Sequence, residues 1–216
     1  MNHRDTILGR IRQALADRPE VDAPSVPEVW PETKPDRKTM LARFAAELEA
    51  VQGELHWCGS LDSARAKLTE VLGEIGCKSF GAVDRPLARE LTDGLTAAEV
   101  SWVGDETDKE TIGRLDAALL SSDLLLADTG SCLIECRTAV ERMMCYLPPV
   151  CLIVARAESL REHLPAAWRE VTPQIADPSR RGEFVFITGP SRTADIEKIL
   201  ILGVHGPKRV VVLVVE

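Results

Sequence analysis

Apolar residues recur along the chain in short uninterrupted runs and in stripes at helical spacing. The runs predict strands, because four to seven consecutive apolar residues suit buried β-structure. The stripes predict amphipathic helices between them. The predicted strands are 54–58, 79–83, 100–103, 124–127, 132–136, 150–154, 184–187 and 209–215. The predicted helices are 37–51, 61–72, 86–91, 105–120, 137–146 and 157–164. Strands that alternate with helices predict an α/β fold with a mostly parallel sheet and flanking helices.

The C-terminal third contains the most informative stretch. The run 184–187 predicts a strand covered on both faces, and Gly189-Pro190 then breaks it. A helix is expected to follow, capped by Ser191 or Thr193, before the last strand at 209–215. Strand, helix and strand would form one right-handed crossover unit. Arg192 would then stand over the carboxyl edge of the sheet, where open α/β sheets bind ligands.

This junction predicts a site for a small polar or anionic ligand. Free N–H groups and Arg192 favour an anion, whereas Asp195 and Glu197 oppose a bare phosphate. A ligand with hydroxyls, or a phosphate with a cation, fits better. The alternative is that Ser, Thr and Asp here only cap a helix. The predicted ligand-binding residues are Thr129, Gly130, Ser131, Gly189, Ser191, Arg192, Thr193, Asp195 and Glu197, with no metal site.

Two residues are candidates for catalysis, although the residues alone leave open whether the chain is an enzyme. Asp128 follows a buried run and precedes Gly130 in a predicted hairpin. Its alternative role is an Asx-turn, with the carboxylate bound to the next backbone N–H groups. His205 lies in a glycine-rich turn on the way to the amino edge of the last strand, so it could equally be a turn residue or a subunit contact. His163 is expected at the surface.

Several motifs together resemble one known family. Gly-Pro-Ser-Arg-Thr-Ala-Asp-Ile-Glu at 189–197, followed by Leu-Gly-Val-His-Gly-Pro at 202–207, resembles the signature of the LUD-domain family, in particular its lactate-utilisation protein C (YkgG) type. Ala-Asp-Thr-Gly-Ser at 127–131, Leu-Pro-Pro-Val at 147–150 and the opening helix also resemble family segments. Members commonly carry His just after the Leu-Pro-x-Val segment, and Cys151 occupies that position here.

The resemblance implies a fold and a metabolic role. It implies a Rossmann-like fold similar to ribose-phosphate isomerases and CoA transferases. It also implies a part in oxidising L-lactate to pyruvate as a non-redox subunit, beside iron–sulfur lactate-utilisation proteins that carry the clusters, with no cofactor in this chain. Two other functions stay open: a free-standing enzyme, or a sensor, acting on a phosphorylated sugar, nucleotide or CoA thioester.

Composition and charge disfavour some classes of partner and some cellular locations. The 216 residues carry a net charge of −8, which disfavours nucleic acid as a partner. No apolar run approaches the roughly 20 residues that span a membrane, and the N-terminus lacks a signal-peptide core, so a cytoplasmic location is expected. The six cysteines include no Cys-x-x-Cys pair, and they are expected to be buried, reduced thiols.

The N-terminal part differs in composition from the remainder. A helix at 4–17 carries an apolar stripe, and a proline-rich segment follows it to Pro35. We therefore expect residues 1–35 to form a helical arm and residues 36–216 to form the α/β domain. The helix could fold back on its own domain or dock on a neighbouring subunit, which would make the protein a homo-oligomer.

Overall fold

The fold was analysed in a computed structural model that describes residues 3–16, 30, 33–175, 183–194 and 200–216. The chain divides into two compact units, Met1–Pro31 and Glu32–Glu216. The first contains helix α1 (His3–Leu15), in which no residue is buried and Ile7, Ile11 and Leu15 are exposed. The helix predicted at 4–17 is thus present. The domain boundary at 35/36 stays a prediction.

The second unit is built on a six-stranded sheet within the described residues. Its strand order is β1-β12-β7-β4-β2-β3, and every neighbouring pair is parallel. This confirms the predicted α/β fold with a mostly parallel sheet. The strands are β1 (Glu54–Cys58), β2 (Phe80–Val83), β3 (Val100–Val103), β4 (Ala117–Ser121), β7 (Val150–Arg156) and β12 (Arg209–Val215).

Among the described residues, two smaller sheets accompany the central one. A four-stranded sheet has the order β8-β5-β6-β9, in which β5 and β6 form the predicted hairpin. A third sheet is a two-stranded antiparallel pair, β10 and β11. These strands are β5 (Leu124–Leu126), β6 (Ser131–Cys136), β8 (Leu160–Arg161), β9 (Glu183–Ile187), β10 (Arg192–Ala194) and β11 (Leu200–Leu202).

Helices flank the central sheet, and side-chain caps fix where several of them begin. Asp36 accepts a hydrogen bond from the Thr39 N–H at 2.7 Å, so α2 starts at residue 37. Ser60 and Ser63 form a reciprocal capping box before α3. The helices of this unit are α2 (Arg37–Ala50), α3 (Leu61–Glu74), α4 (Pro86–Thr92), α5 (Lys109–Gly113), α6 (Ala139–Met144) and α7 (Leu164–Ile175), with a 3₁₀ turn at Ala157–Ser159.

The apolar core lies on both faces of the central sheet. Along β12, Val210, Val212 and Val214 face one cluster, whereas Val211, Leu213 and Val215 face the other. Successive side chains of a strand point to opposite faces, so an unbroken apolar run requires cover on both. Each fully buried Val or Leu contributes about 1.5–3 kcal/mol relative to exposure.

The helix predicted at 105–120 is wrong in its second half. Only Lys109–Gly113 is helical, and Ala117–Ser121 forms β4 at the centre of the sheet. Ala117, Ala118, Leu119 and Leu120 are at most 1% exposed between β2 and β7. Alanine and leucine favour helices, but burial between two strands overrides that local preference.

The helix predicted at 157–164 is also wrong. The chain instead makes a 3₁₀ turn and the short strand β8, which pairs in parallel with β5. Pro165, which directly follows the predicted helix, is the second residue of α7. Proline is favoured in the first helical turn, where its missing N–H removes no bond.

The strand–helix–strand unit predicted at the C-terminus is wrong as well. β9 pairs antiparallel with β6 in the small sheet, and Phe186 on it is 42% exposed. Arg192–Ala194 pairs antiparallel with Leu200–Leu202, so these residues form strands where a helix capped by Ser191 or Thr193 was expected. Residues 195–199 of the predicted helix lie outside the described residues. Ser and Thr occur both at helix caps and in turns, so these residue types alone do not predict that β10 pairs with β11.

An ion pair at the amino edge of the sheet predicts a pH-dependent contribution to stability. Arg209 donates to both Glu54 oxygens at 2.7 and 2.8 Å, which lowers the pKa of Glu54. A carboxyl group with a lowered pKa stabilises the fold above its unfolded pKa of about 4.3, and that contribution is lost as the pH falls through the folded pKa. We expect Glu54→Gln to cost about 1 kcal/mol or less at pH 7, because water screens a side chain that is 38% exposed.

Urea unfolding of wild type and Glu54→Gln at neutral pH and near pH 3 tests this expectation. The difference between the two proteins should shrink at the acidic pH. The exposed Glu99 offers a control, since Glu99→Gln should produce no comparable difference. A Glu54→Gln effect that is equal at both pH values would contradict the assignment.

Candidate functional site

Asp128 lies at the end of β5, at the start of the turn that leads into β6. Its backbone N–H donates to the Glu162 carbonyl at 3.1 Å, so the turn is tied to the segment after β8. The Asp128 oxygen Oδ1 is buried and has no hydrogen-bond partner among the described residues. The Asx-turn alternative would have given the carboxylate backbone N–H partners, and the described residues provide none. Most buried polar atoms have a hydrogen-bond partner, so Asp128 is a candidate contact for a ligand.

Gly130 holds the turn directly against helix α2. Its φ of +62° lies in the left-handed region that favours glycine. A Cβ atom at this position would lie 2.4 Å from the Leu48 backbone nitrogen and 2.9 Å from the Glu47 carbonyl carbon. This close approach fixes the position of Asp128 and Thr129 relative to α2. Gly130 therefore contributes its backbone conformation to the site and no side chain.

Three hydroxyl groups connect this turn to the end of β9. The Ser131 hydroxyl donates to Thr129 Oγ1 at 2.8 Å and lies 2.8 Å from Thr188 Oγ1. A hydroxyl has one proton to donate, so Thr188 donates to Ser131 while Ser131 donates to Thr129. Ser131 is only 4% exposed, whereas Thr129 is exposed. The chain of bonds therefore leads from the interior to an accessible oxygen.

His163 is a residue that the sequence pattern placed wrongly. It was expected at the surface, but it is 4% exposed. Its Nδ1 accepts from the Ala166 N–H at 3.1 Å, which leaves the proton of the neutral ring on Nε2. Nε2 is buried without a hydrogen-bond partner among the described residues. The Glu162 carbonyl that accepts from Asp128 directly precedes His163, so an unpartnered acceptor and an unpartnered donor lie on adjacent segments.

The Gly-Pro-Ser segment is close to the glycine-rich turn that precedes β12. The Ser191 N–H donates to the Pro207 carbonyl, and the Gly203 N–H donates to the Ser191 carbonyl, each at 2.8 Å. A Cβ on Gly206 would lie 3.0 Å from the Ser191 Cβ. At the other end of the segment, Gly189 approaches the side chain of Val51. Ser191 thus contacts the turn at 203–207, whereas Thr188, three residues earlier, contacts Ser131. We call Asp128, Thr129, Ser131, His163 and Thr188 the band around Asp128.

His205 lies at the amino edge of the central sheet, as its position in the sequence indicated. It is exposed and lines a cavity of about 430 Å³ with Tyr146, Pro149 and Lys208. The Lys208 N–H donates to the Pro149 carbonyl before β7, which fixes the cavity at that edge. No hydrogen bond joins His205 to Asp128 within the part of the chain that the structure describes.

The remaining predicted ligand-binding residues are Arg192, Thr193, Asp195 and Glu197. Arg192 is exposed on β10, and it makes no ion pair with Asp128 among the described residues. The backbone of Thr193 is described as part of the same strand. Asp195 and Glu197 lie outside the described residues. The convergence of Arg192 with an acid accordingly stays a prediction.

Cys151, which directly follows the Leu-Pro-Pro-Val segment, is part of the core. It is 1% exposed within β7 and pairs in register with Val210 and Ala118. Burial raises the pKa of its thiol to about 12, so the thiol is neutral at physiological pH. All six cysteines are free and five are buried, as expected from their spacing. Cys151 therefore packs like a small apolar residue.

No helix in the described part of the chain has the length and apolar character that membrane crossing requires.

Comparison with protein families gives one match over most of the chain. The family model of the LUD domain matches residues 41–215. Curated relatives include Lactate utilization protein C of Shouchella clausii, which is 29% identical over 73% of this chain and 70% of that protein. The proteins of the same name from Geobacillus kaustophilus and Bacillus subtilis are 27% and 24% identical, and each alignment covers 100% of this chain and 97% of the relative.

Comparison with solved structures supports the fold independently. The crystal structure of a DUF162 family protein from Deinococcus radiodurans superposes with a TM-score of 0.61 at 17% identity. The match covers 84% of this chain and 99% of that one. At this level of identity the likeness concerns the arrangement of helices and strands.

Proposed function

The chain belongs to the LUD domain family, and from that membership we propose that it is a non-redox subunit of a system that oxidises L-lactate to pyruvate. The observation that carries the proposal is the alignment with proteins named Lactate utilization protein C over the full length of this chain. The aligned region includes both the central sheet and the Asp128 turn. A role in lactate utilisation follows from this likeness, and the subunit's part in it is our inference.

We propose that the band around Asp128 binds a small polar ligand of that system. Asp128 Oδ1 and His163 Nε2 offer one acceptor and one donor that lack protein partners among the described residues. Thr129 adds an exposed hydroxyl at the end of a hydrogen-bonded chain. A ligand with a hydroxyl and a carbonyl or carboxylate oxygen matches these groups, and a hydroxy acid has both.

The electrons from lactate are proposed to pass to iron–sulfur partner proteins. Oxidation of lactate to pyruvate removes two electrons and two protons, so an acceptor is required. Iron–sulfur clusters are normally held by four thiolates. Cys132, Cys136, Cys145 and Cys151 are instead packed in one apolar cluster of the core. That packing supports a division of labour in which this chain binds and its partners transfer electrons.

Deletion of the gene in its native host tests the proposed role. We expect loss of growth on L-lactate as sole carbon source and unchanged growth on glucose, with recovery when the wild-type chain is restored. Affinity purification from lactate-grown cells should recover iron–sulfur proteins. Normal growth of the deletion strain on lactate would exclude the proposed function.

Complementation with variants tests the site separately from the role. Asp128→Asn preserves the shape of the side chain but removes its charge, so it should fail to restore growth on lactate while the protein accumulates normally. Asp93→Asn, at an exposed position outside the site, should restore growth fully. Equal complementation by both variants would remove Asp128 from the site while leaving the lactate role intact.

A further inference from the structure

A second cavity lies at the opposite edge of the central sheet from His205. It has a volume of about 490 Å³, within the roughly 300–1,000 Å³ of typical ligand sites. Its walls include Ser121 at the carboxyl end of β4, Arg156 at the carboxyl end of β7 and Arg85 shortly after β2. The carboxyl edge of a parallel sheet is where ligands of α/β folds bind. None of its residues belongs to the band around Asp128.

Two of the four arginines that line this cavity are largely engaged by the protein. Arg85 donates to both oxygens of Glu141 at 3.0 and 2.8 Å, and also to two backbone carbonyls. Arg161 forms a two-point pair with Glu170, and its remaining nitrogen donates to the carbonyls of Glu158 and Leu160. These two side chains are rigid walls of the cavity and have few donors left for a ligand.

The other two arginines retain unused donors. Arg156 bonds Glu90 through Nη2 alone, which leaves Nε and Nη1 without a partner among the described residues. Arg137 reaches a single oxygen of Glu135 at 3.2 and 3.4 Å, and its side chain is 51% exposed. Guanidinium groups with spare donors bind carboxylate or phosphate oxygens well.

The polar groups beside these arginines suit hydroxyls. Ser121 Oγ is buried with no hydrogen-bond partner in the described structure. Asp123 accepts from the Glu135 N–H through Oδ2 at 2.7 Å, which leaves its other oxygen for a donor. Glu158 adds another carboxylate to the lining. With two carboxylates near two available arginines, a bare multiply charged anion is disfavoured, whereas hydroxyl groups on the ligand would donate to those carboxylates.

From this inventory we propose that the carboxyl-edge cavity binds a polyhydroxylated organic anion, with its carboxylate or phosphate on Arg137 and Arg156 and its hydroxyls on Ser121 and Asp123. The cavity has several times the volume of a three-carbon acid, so a larger metabolite than lactate is expected. The site is separate from the band around Asp128. It can bind such a ligand whether or not the chain serves in lactate oxidation.

Isothermal titration calorimetry of the full chain tests the proposal with four probes. Ribose 5-phosphate and gluconate each combine an anionic group with several hydroxyls, and they distinguish a phosphate ligand from a carboxylate ligand. Ribose lacks the charge and inorganic phosphate lacks the hydroxylated carbon chain. We expect at least one of the first two to bind with a Kd below about 1 mM, and both reference probes to bind at least about tenfold more weakly.

Variants locate the binding. Arg137→Gln and Arg156→Gln should each weaken the best probe by about tenfold or more, because each removes charge-assisted hydrogen bonds. Ser121→Ala should weaken binding several-fold without lowering thermal stability, since its hydroxyl has no partner to lose. Arg114→Gln removes the same charge at an exposed position outside the cavity and should change nothing.

The proposal is overturned if neither ribose 5-phosphate nor gluconate binds the wild-type chain in this range. It is equally overturned if inorganic phosphate binds as tightly as they do, or if Ser121→Ala and both arginine variants bind like wild type. Ser121→Ala keeps the test informative if an arginine variant fails to fold.

Discussion

Replacement of Gly130 by alanine is expected to lower the free energy of unfolding by about 3 kcal/mol or more. Two costs add at this position. The residue has a φ of +62°, which strains any side chain with a Cβ, and that Cβ would meet the Leu48 nitrogen at 2.4 Å. Backbone atoms of a helix cannot rotate aside, so relief requires α2 or the turn to shift. Because the same turn carries Asp128, ligand binding should be lost together with stability.

Chemical denaturation of three glycine variants separates the two costs. Gly76 has a similar φ of +59° but nothing within 4 Å of its Cβ position, so Gly76→Ala should cost only about 1 kcal/mol. Gly73 lies within α3 with open space around it, so Gly73→Ala should stabilise by about 0.5–1 kcal/mol. A Gly130→Ala cost no larger than that of Gly76→Ala would show that the turn and α2 are not in close contact.

The second large effect is expected from Glu141→Gln, at about 2–4 kcal/mol of destabilisation. Glu141 accepts from both terminal nitrogens of Arg85 and from the Arg137 N–H at 2.7 Å. The two side chains of the pair are only 17% and 14% exposed. The amide nitrogen of glutamine is a donor, so it would face the donors of Arg85 or Arg137 and leave a largely buried guanidinium without its counter-charge.

An exposed pair on the same chain provides the matched control. Arg89 also donates to both oxygens of one carboxylate, that of Asp84, through Nε and Nη2, but these side chains are 52% and 57% exposed. We expect Asp84→Asn to cost less than about 1 kcal/mol, because water replaces the lost contacts. Thermal and urea unfolding of both variants supplies the comparison. Equal losses would mean that burial contributes little to the Arg85–Glu141 pair.

Most strands were predicted correctly because their residue types favour strands and suit the burial that the fold gives them. Five of the seven residues of β12 are valine, which favours strands, and the strand is buried on both faces. β4 escaped prediction because Ala117, Ala118, Leu119 and Leu120 have helical preferences, and only pairing with β2 and β7 makes them a strand. That pairing is non-local, so nothing in a short window reveals it.

The site was predictable to the extent that it rests on local turn chemistry. The positive φ of Gly130 and the bond from Ser131 to Thr129 are local features of one short turn. The bonds from the Asp128 N–H to Glu162 and from Thr188 to Ser131 join distant parts of the chain, so the sequence did not reveal them. His163 was not predictable, because its burial depends on β8, which the sequence pattern assigned to a helix. The cavity between Arg137 and Arg156 likewise depends on which strands are neighbours, a property that spacing along the chain does not record.

The order of strands in the central sheet has a consequence for how the protein is made. β1 pairs only with β12 within the described sheet, although 150 residues separate Cys58 from Arg209 along the chain. A chain growing on the ribosome therefore exposes one side of β1, and also the apolar edge of β7, until residues 209–215 emerge. We therefore expect nascent chains of this protein to need chaperones until residues 209–215 have emerged. Chains that stall before these residues are made should aggregate.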